Sequence, residues 1–249
     1  MELKDRVAII TGGTGGLGQR ICHLFIQHGV SIALGYLESK SKAEKIIVQI
    51  KRNNIEAIPV QVDITKENSV SRMVDYVMAH YGRIDILVNN AAYNKYIPFE
   101  DLSKMDITEW LKTISVNLNG PFLCTKAVTP FMKKNKCGRI INISSVSGLH
   151  PWGASIAYCV SKAGLIHLTK CLSVALAPEI LVNSIAPGFM EGTRATSQIP
   201  KTRRKTVINN SLLKRAVSKD DVALAILEFC RNDSITGQTL VVDAGRIFH

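Results

Sequence analysis

Short runs of aliphatic and β-branched residues alternate along this chain with longer segments whose apolar positions recur every three or four residues. The runs Val7–Ile10, Ser31–Gly35, Ala57–Val62, Ile84–Val88, Arg139–Ser144, Leu181–Ile185 and Thr239–Val242 read as strands. Leu17–Gln27, Lys42–Arg52, Val70–His80, Ile107–Lys133 and Ala157–Ala177 read as helices. Strand–helix alternation with continuous rather than alternating apolar strands predicts an α/β fold, a parallel sheet covered by helices on both faces. Such sheets bind ligands at the carboxyl ends of their strands, where strand order reverses. The residues just past each strand end are therefore where the chemistry of the chain should lie.

Immediately after Val7–Ile10 comes Thr11-Gly12-Gly13-Thr14-Gly15-Gly16-Leu17-Gly18, and a helical pattern starts at once. A strand, a glycine-rich turn and a helix N-terminus together present backbone N–H groups and the positive end of a helix dipole to an anion such as a pyrophosphate. Gly12, Gly16 and Gly18 are spaced G-x-x-x-G-x-G, which differs from the G-x-G-x-x-G of many dinucleotide-binding proteins.

Later strand ends carry further polar residues. Tyr36 follows the second strand, with Glu38, Ser39, Lys40 and Lys42 close behind, and Asp63 follows the third. An adenine contact and a turn or helix cap are both open readings for Asp63. Asn89-Asn90-Ala91-Ala92 follows the fourth strand, Ser144-Ser145 closes the fifth, and Pro187-Gly188 lies beyond the sixth. Tyr158 and Lys162, four residues apart on one predicted helix, are about 400° apart around its axis and so share a face. A free tyrosine titrates near ~10. A neighbouring ammonium favours the phenolate, and lowering the phenol to about 7 would take roughly 4 kcal/mol.

Thr11-Gly12-x-x-x-Gly16-x-Gly18, Asn89-Asn90-Ala91-Ala92, Asn117, Ser145, Tyr158 and Lys162 resemble the motifs of the short-chain dehydrogenase/reductase family across essentially the whole chain. Ala92, where the family has glycine, and Val242-Asp243-Ala244-Gly245, which resembles V-D-G-G, are departures. The resemblance implies a single-domain Rossmann-type doubly wound parallel sheet of about seven strands spanning residues 1–249. It also implies a catalytic tetrad of Asn117, Ser145, Tyr158 and Lys162. In that tetrad Tyr158 exchanges a proton with the substrate oxygen, and Ser145 hydrogen-bonds the same oxygen. Lys162 holds the nicotinamide ribose, and Asn117 positions a water. The cofactor site it implies comprises Gly12, Thr14, Gly15, Gly16, Leu17, Gly18, Tyr36, Asp63, Asn90, Ala91, Tyr158, Lys162, Pro187 and Gly188. Thr193 is a further, uncommitted candidate, because Gly192 is an extra residue before it. Residues 189–215 are expected to form a substrate lid.

The expected activity is NAD(P)-dependent hydride transfer between nicotinamide and a carbonyl or secondary alcohol. Lack of an acid directly at the second strand end, with Ser39, Lys40 and Lys42 nearby, favours NADP(H) over NAD(H); Glu38 argues the other way. The resemblance is greatest to 3-oxoacyl-carrier-protein reductases, with sugar, polyol and small-ketone dehydrogenases as alternatives within the family. A non-catalytic, cofactor-binding regulator is an alternative of another class.

Bulk composition narrows the picture. A net charge of +11 invites a nucleic-acid reading, but Lys133, Lys134, Lys136 and Arg139, and Lys201, Arg203, Arg204 and Lys205, have no interleaved aromatics for base stacking. No nucleic-acid partner is expected; an acidic acyl carrier protein is a candidate partner. Cys22, Cys124, Cys137, Cys159, Cys171 and Cys230 show neither metal-ligand nor C-x-x-C spacing, so free thiols and no metal are expected. No uninterrupted apolar run reaches the ~18 residues of a membrane span, and MELKDRVAII does not read as a secretory leader. A cytoplasmic, membrane-free homo-oligomer, tetramer or dimer, is the expectation.

Overall fold

The computed structural model describes residues 1–50 and 55–248. Seven parallel strands form one sheet: β1 (Val7–Ile10), β2 (Ser31–Tyr36), β3 (Ala57–Gln61), β4 (Ile86–Asn89), β5 (Gly138–Ile143), β6 (Ile180–Pro187) and β7 (Thr239–Val242). Their order is β3-β2-β1-β4-β5-β6-β7. The chain thus winds outward from β1 to β3, then returns to place β4 against the other side of β1, with Ile10 paired to both Leu34 and Val88. The reversal opens a crevice outside the carboxyl ends of β1 and β4.

The strands are apolar on both faces because both faces are covered. Ile10 and Leu34 face a core completed by α1 (Gly16–Gln27), α2 (Lys40–Ile50) and α9 (Lys219–Arg231), through Ile21, Phe25, Ile46 and Ile226. Their chain neighbours Ile9 and Ala33 face the opposite core, closed by α3 (Glu67–Tyr81), α5 (Gly120–Lys134) and α6 (Ile156–Leu176) with Val70, Met73, Val128 and Leu176. Each large aliphatic side chain taken fully from water contributes about 1.5–3 kcal/mol.

Most predicted elements are present, with shifted ends. The second helix spans Lys40–Ile50; Arg52, its expected end, lies outside the described residues. The expected continuous helix over residues 107–133 is instead α4 (Ile107–Ile114), a π-helical turn (Ser115–Asn119) and α5. By length and composition α6 could span a bilayer, with a mean hydropathy of 1.3 in its most apolar window. It is a core helix here: Ala157, Leu165, Ile166 and Leu176 are buried, and so is Lys162. Residues 189–215 contain α7 (Arg194–Ser197) and α8 (Lys201–Asn209).

Candidate active site

The turn after β1 is shaped for an anion. Gly12 has φ +64°, and a Cβ there would lie 2.8 Å from the Cα of Ala91. Only glycine combines that left-handed backbone with so close an approach. Asn90 fixes the turn, its Nδ2 donating to the carbonyls of Thr11 at 2.9 Å and Gly12 at 3.0 Å. Thr11 Oγ1 accepts from the amides of Asn90 and Ala91, both at 3.0 Å. Helix α1 then begins with no side-chain cap at Gly15. The first N–H groups of a helix have no intrahelical acceptor, so those of Gly16, Leu17 and Gly18 are left for a ligand.

These residues line a crevice of about 660 Å³, within the range of small-molecule sites. Thr14, Gly15, Tyr36, Asp63, Asn90, Ala91, Pro187 and Gly188 line it too, as do Ala92 and Thr193. The Asp63 carboxylate forms a local turn, accepting from the Thr65 amide at 3.1 Å and the Thr65 hydroxyl at 2.6 Å. Burial raises the Asp63 pKa, but the Thr65 hydrogen bonds and Lys66 outweigh burial and hold the carboxyl below its usual range. Both readings of Asp63 therefore have structural content: it closes a turn and faces the crevice.

At the other end of the crevice, Ser145, Tyr158 and Lys162 come together. Ser155 caps α6, its Oγ accepting from the Tyr158 amide at 3.2 Å. Ser145 starts the turn Val146–Gly148 after β5, its Oγ accepting from the Ser147 amide at 3.1 Å. That turn lies directly on α6: a Cβ on Gly148 would fall 2.6 Å from the carbonyl carbon of Lys162. The side chains of Ser145, Tyr158 and Lys162 all reach the crevice that the glycine turn lines.

Asn117 is fully buried in the π-helical turn. Its Nδ2 donates to the Tyr93 carbonyl at 2.8 Å and to Ser161 Oγ at 3.0 Å, while its Oδ1 accepts from the Tyr93 amide at 2.8 Å. Ser161 in turn donates to the Tyr158 carbonyl at 2.7 Å. Asn117 thus joins the loop after β4 to the helix turn between Tyr158 and Lys162. Both amide N–H groups of its side chain are used in that joint, so a water would meet that side chain as a donor to Oδ1.

Among the protein's own groups, Lys162 by itself does not acidify the phenol. Burial pushes the Tyr158 phenol up to about 12, against a lowering hydrogen bond from Ser145; Cys159 adds to the rise. Burial pulls the Lys162 ammonium down to about 7. Lys162 Nζ donates to the carbonyl of Ile143 at 2.7 Å and lies 5.7 Å from the centre of the Tyr158 ring. Desolvation of each charged form outweighs their mutual attraction among the protein's own groups.

Several crevice residues had no sequence motif to reveal them. Tyr96, Trp152, Arg203 and Arg246 line the end beyond Tyr158. The Arg203 guanidinium lies 4.9 Å from the Trp152 ring centre and 5.4 Å from that of Tyr96, and donates to Tyr96 Oη at 2.9 Å. Arg139, placed by its sequence position in a basic surface group, is instead buried in β5 and paired with Asp233. Lys133, Lys134 and Lys136 precede β5 and so lie toward the amino ends of the strands, away from the crevice. Among the described residues no cluster of three or more His, Cys, Asp or Glu could hold a metal, and all six cysteines are unpaired.

A model of the short chain dehydrogenases matches residues 6–204. The 3-oxoacyl-[acyl-carrier-protein] reductase FabG of Thermotoga maritima is 34% identical, covering 99% of this chain and 100% of the relative. The 3-oxoacyl-[acyl-carrier-protein] reductase of Synechocystis is also 34% identical, over 98% of both chains. Among solved structures, a Burkholderia xenovorans chain assigned to the short-chain dehydrogenases/reductases superposes with a TM-score of 0.90 at 27% identity, covering 97% of each chain. The glycine turn, the seven-stranded parallel sheet and these matches agree: the chain belongs to the short-chain dehydrogenase/reductase family and is an NAD(P)-dependent oxidoreductase.

Proposed function

We propose that this enzyme reduces the 3-oxo group of an acyl thioester with NADPH, through Asn117, Ser145, Tyr158 and Lys162. The carrying observation is that Ser145 and Tyr158 face the same crevice as the uncapped start of α1, so a carbonyl at one end is within reach of a dinucleotide anchored at the other. When bound, the nicotinamide supplies the hydride. Glycines that leave room beside Ala91, free amides at Gly16–Gly18 and Asp63 at the third strand end all suit a dinucleotide.

Tyr158 is the proton donor. A phenol held near 12 stays neutral through the physiological range, and it can give its proton to a developing alkoxide, a far stronger base. That state favours reduction. Ser145 donates to the same oxygen and stabilises its growing charge. Lys162, buried and tied to the Ile143 carbonyl, keeps further N–H groups for the ribose and the phenol. Asn117 is a positioning residue that fixes the turn carrying Tyr158 and Lys162.

NADP(H) is favoured over NAD(H) because Tyr36, not an acid, ends β2, and Ser39 and Lys42 line the crevice beside it, although Glu38 lines it as well. The thioester substrate follows from full-length likeness to reductases named for 3-oxoacyl carrier proteins. An acidic carrier would approach Lys201, Arg204 and Lys205 of α8, the helix whose Arg203 lines the crevice, not the distant Lys133, Lys134 and Lys136. Residues 189–215 act as the lid. Exposed Ile107, Leu111, Phe122, Val160 and Val174 supply apolar surface for a homo-oligomer, and free thiols suit the cytoplasm.

Loss of nicotinamide absorbance tests the reading, with acetoacetyl thioesters, small ketones and sugars assayed against NADPH and NADH. Oxidation of NADPH fastest with the thioesters is expected. A preference for sugars or polyols would replace the substrate class, and tight dinucleotide binding without any turnover would favour a regulator.

A further inference from the structure

Charge is unevenly distributed along the crevice. Its two carboxylates, Glu38 and Asp63, both follow strands at the Tyr36 end. Beyond Tyr158 the lining carries Arg203, from α8, and Arg246, which follows β7, and no acid.

The two guanidiniums have donors to spare. Arg203 uses one N–H on Tyr96 Oη at 2.9 Å and a long contact to the Gly153 carbonyl at 3.4 Å. A guanidinium carries five N–H donors, so three remain. Its place against Trp152 and Tyr96 fixes its orientation and leaves the ring-like plane packed while the edge stays available. Arg246 has no hydrogen-bond acceptor and no ion pair among the described residues, yet it is half-buried. Burial lowers its pKa, Asp243 works in the other direction, and Arg203 adds to the lowering by repulsion. Asp243 forms no ion pair with Arg246 among the described residues; its carboxylate accepts from the amides of Gly245 at 2.9 Å and Ile247 at 2.8 Å.

We propose that Arg203 and Arg246 form an anion-binding subsite at the substrate end of the crevice, which takes a carboxylate or phosphate group of the carbonyl substrate. A purely structural role accounts for Arg203, which braces α8 against Tyr96 and Trp152, but not for Arg246. Both guanidiniums keep free N–H donors on the crevice wall, and an anion between them engages these donors in charge-assisted hydrogen bonds. The proposal rests on the crevice being the site of carbonyl reduction, and it adds that the reduced molecule is charged.

Calorimetric titration of acetoacetate and of acetoacetyl-CoA into the NADP⁺-loaded protein tests it, with ethyl acetoacetate as the neutral probe. Turnover of the ester, read separately, reports on carbonyl reduction itself, so failure of the reductase reading and failure of the subsite give different results. Wild type should bind at least one of the two anions more tightly than the ester. Arg246→Met and Arg203→Met should each weaken that binding by roughly tenfold to a hundredfold, the scale of a charge-assisted hydrogen bond. Arg246→Lys should recover part of the loss. The anion-over-ester preference should collapse in the double variant. Loss confined to acetoacetate identifies a carboxylate as the group held; loss confined to acetoacetyl-CoA identifies a phosphate. Equal weakening of ester and anions, unchanged anion binding, or a loss expressed instead in NADPH affinity would overturn the subsite.

Discussion

Lys162 stands one helical turn beyond Tyr158, yet its ammonium donates to the Ile143 carbonyl at 2.7 Å and lies 5.7 Å from the centre of the tyrosine ring. Burial then moves the two groups oppositely, the phenol up to about 12 and the ammonium down to about 7. The protein by itself keeps Tyr158 as a neutral acid. Any shift toward the phenolate during oxidation has to come from positive charge brought in with the dinucleotide.

Removal of the phenolic hydroxyl should therefore separate chemistry from binding. Tyr158→Phe keeps the ring against α6 and deletes the proton donor, and loss of a general acid costs about 10²–10⁴-fold in kcat. NADPH affinity, followed by nicotinamide fluorescence, should stay within about threefold, since the phosphate-binding amides of Gly16–Gly18 are untouched. Turnover close to wild type would remove Tyr158 from the mechanism.

Stability should rise with pH in a window set by Lys162. Its folded pKa lies at about 7 against an ordinary 10.5, so between those values the unfolded chain binds more protons than the folded one. Unfolding free energy then increases with pH, at most by about 1.4 kcal/mol per unit, or roughly 3–6 °C in Tm for a domain this size. Above pH 9 the buried thiols Cys22, Cys124 and Cys230, whose pKa values burial raises, oppose the trend. The clean interval is pH 7 to 8.5. Thermal melts of wild type minus Lys162→Met across it should show the slope in the wild type alone; parallel curves would place the ammonium in a better-solvated position than Ile143 and β5 suggest.

The glycine turn, the strand ends and Tyr158–Lys162 are legible in sequence because each is a short motif tied to a strand terminus. A parallel sheet covered on both faces follows from strand–helix alternation. The features that escape sequence reading depend on packing between distant segments. Nothing around Val116-Asn117-Leu118 announces a π-helical turn, since the apolar spacing over residues 107–133 is helical throughout. Arg139 looks like one more surface cation until β5 is placed centrally in the sheet. The phenol pKa escapes for a similar reason: helical spacing puts Lys162 and Tyr158 on one face, but desolvation and the Ile143 carbonyl are tertiary facts. Arg203 and Arg246 are 43 positions apart and come to one crevice only through α8 and the segment after β7.

Cofactor preference turns on the end of β2. Lys42 is exposed and lines the crevice near Ser39, where a 2′-phosphate would lie in the proposed NADPH complex. Lys42→Ala should raise the KM for NADPH by about three- to tenfold, as befits a solvent-screened contact, and leave that for NADH nearly unchanged. Glu38→Ala should act in the opposite sense on NADH. Steady-state kinetics with both dinucleotides decide the matter, and equal effects of Lys42→Ala on the two would dissociate Lys42 from the phosphate.

Asn117 provides the sharpest distinction between positioning and simple structural support. Asn117→Ala leaves the amide and carbonyl of Tyr93 without their buried partners, at a cost of about 1–3 kcal/mol for each unsatisfied group. The variant should melt several degrees lower, and kcat should fall far more than KM rises, because the turn bearing Tyr158 and Lys162 loses its anchor while the glycine turn does not. Ser161→Ala cuts the link between that joint and the Tyr158 carbonyl and leaves one Asn117 N–H without its acceptor, while both bonds to Tyr93 remain. It should lower both kcat and Tm by less than Asn117→Ala does, because one buried group loses its partner and not two. If activity in both variants instead tracks the folded fraction, with kcat per folded molecule unchanged, Asn117 holds the fold together and has no part in aligning the catalytic helix.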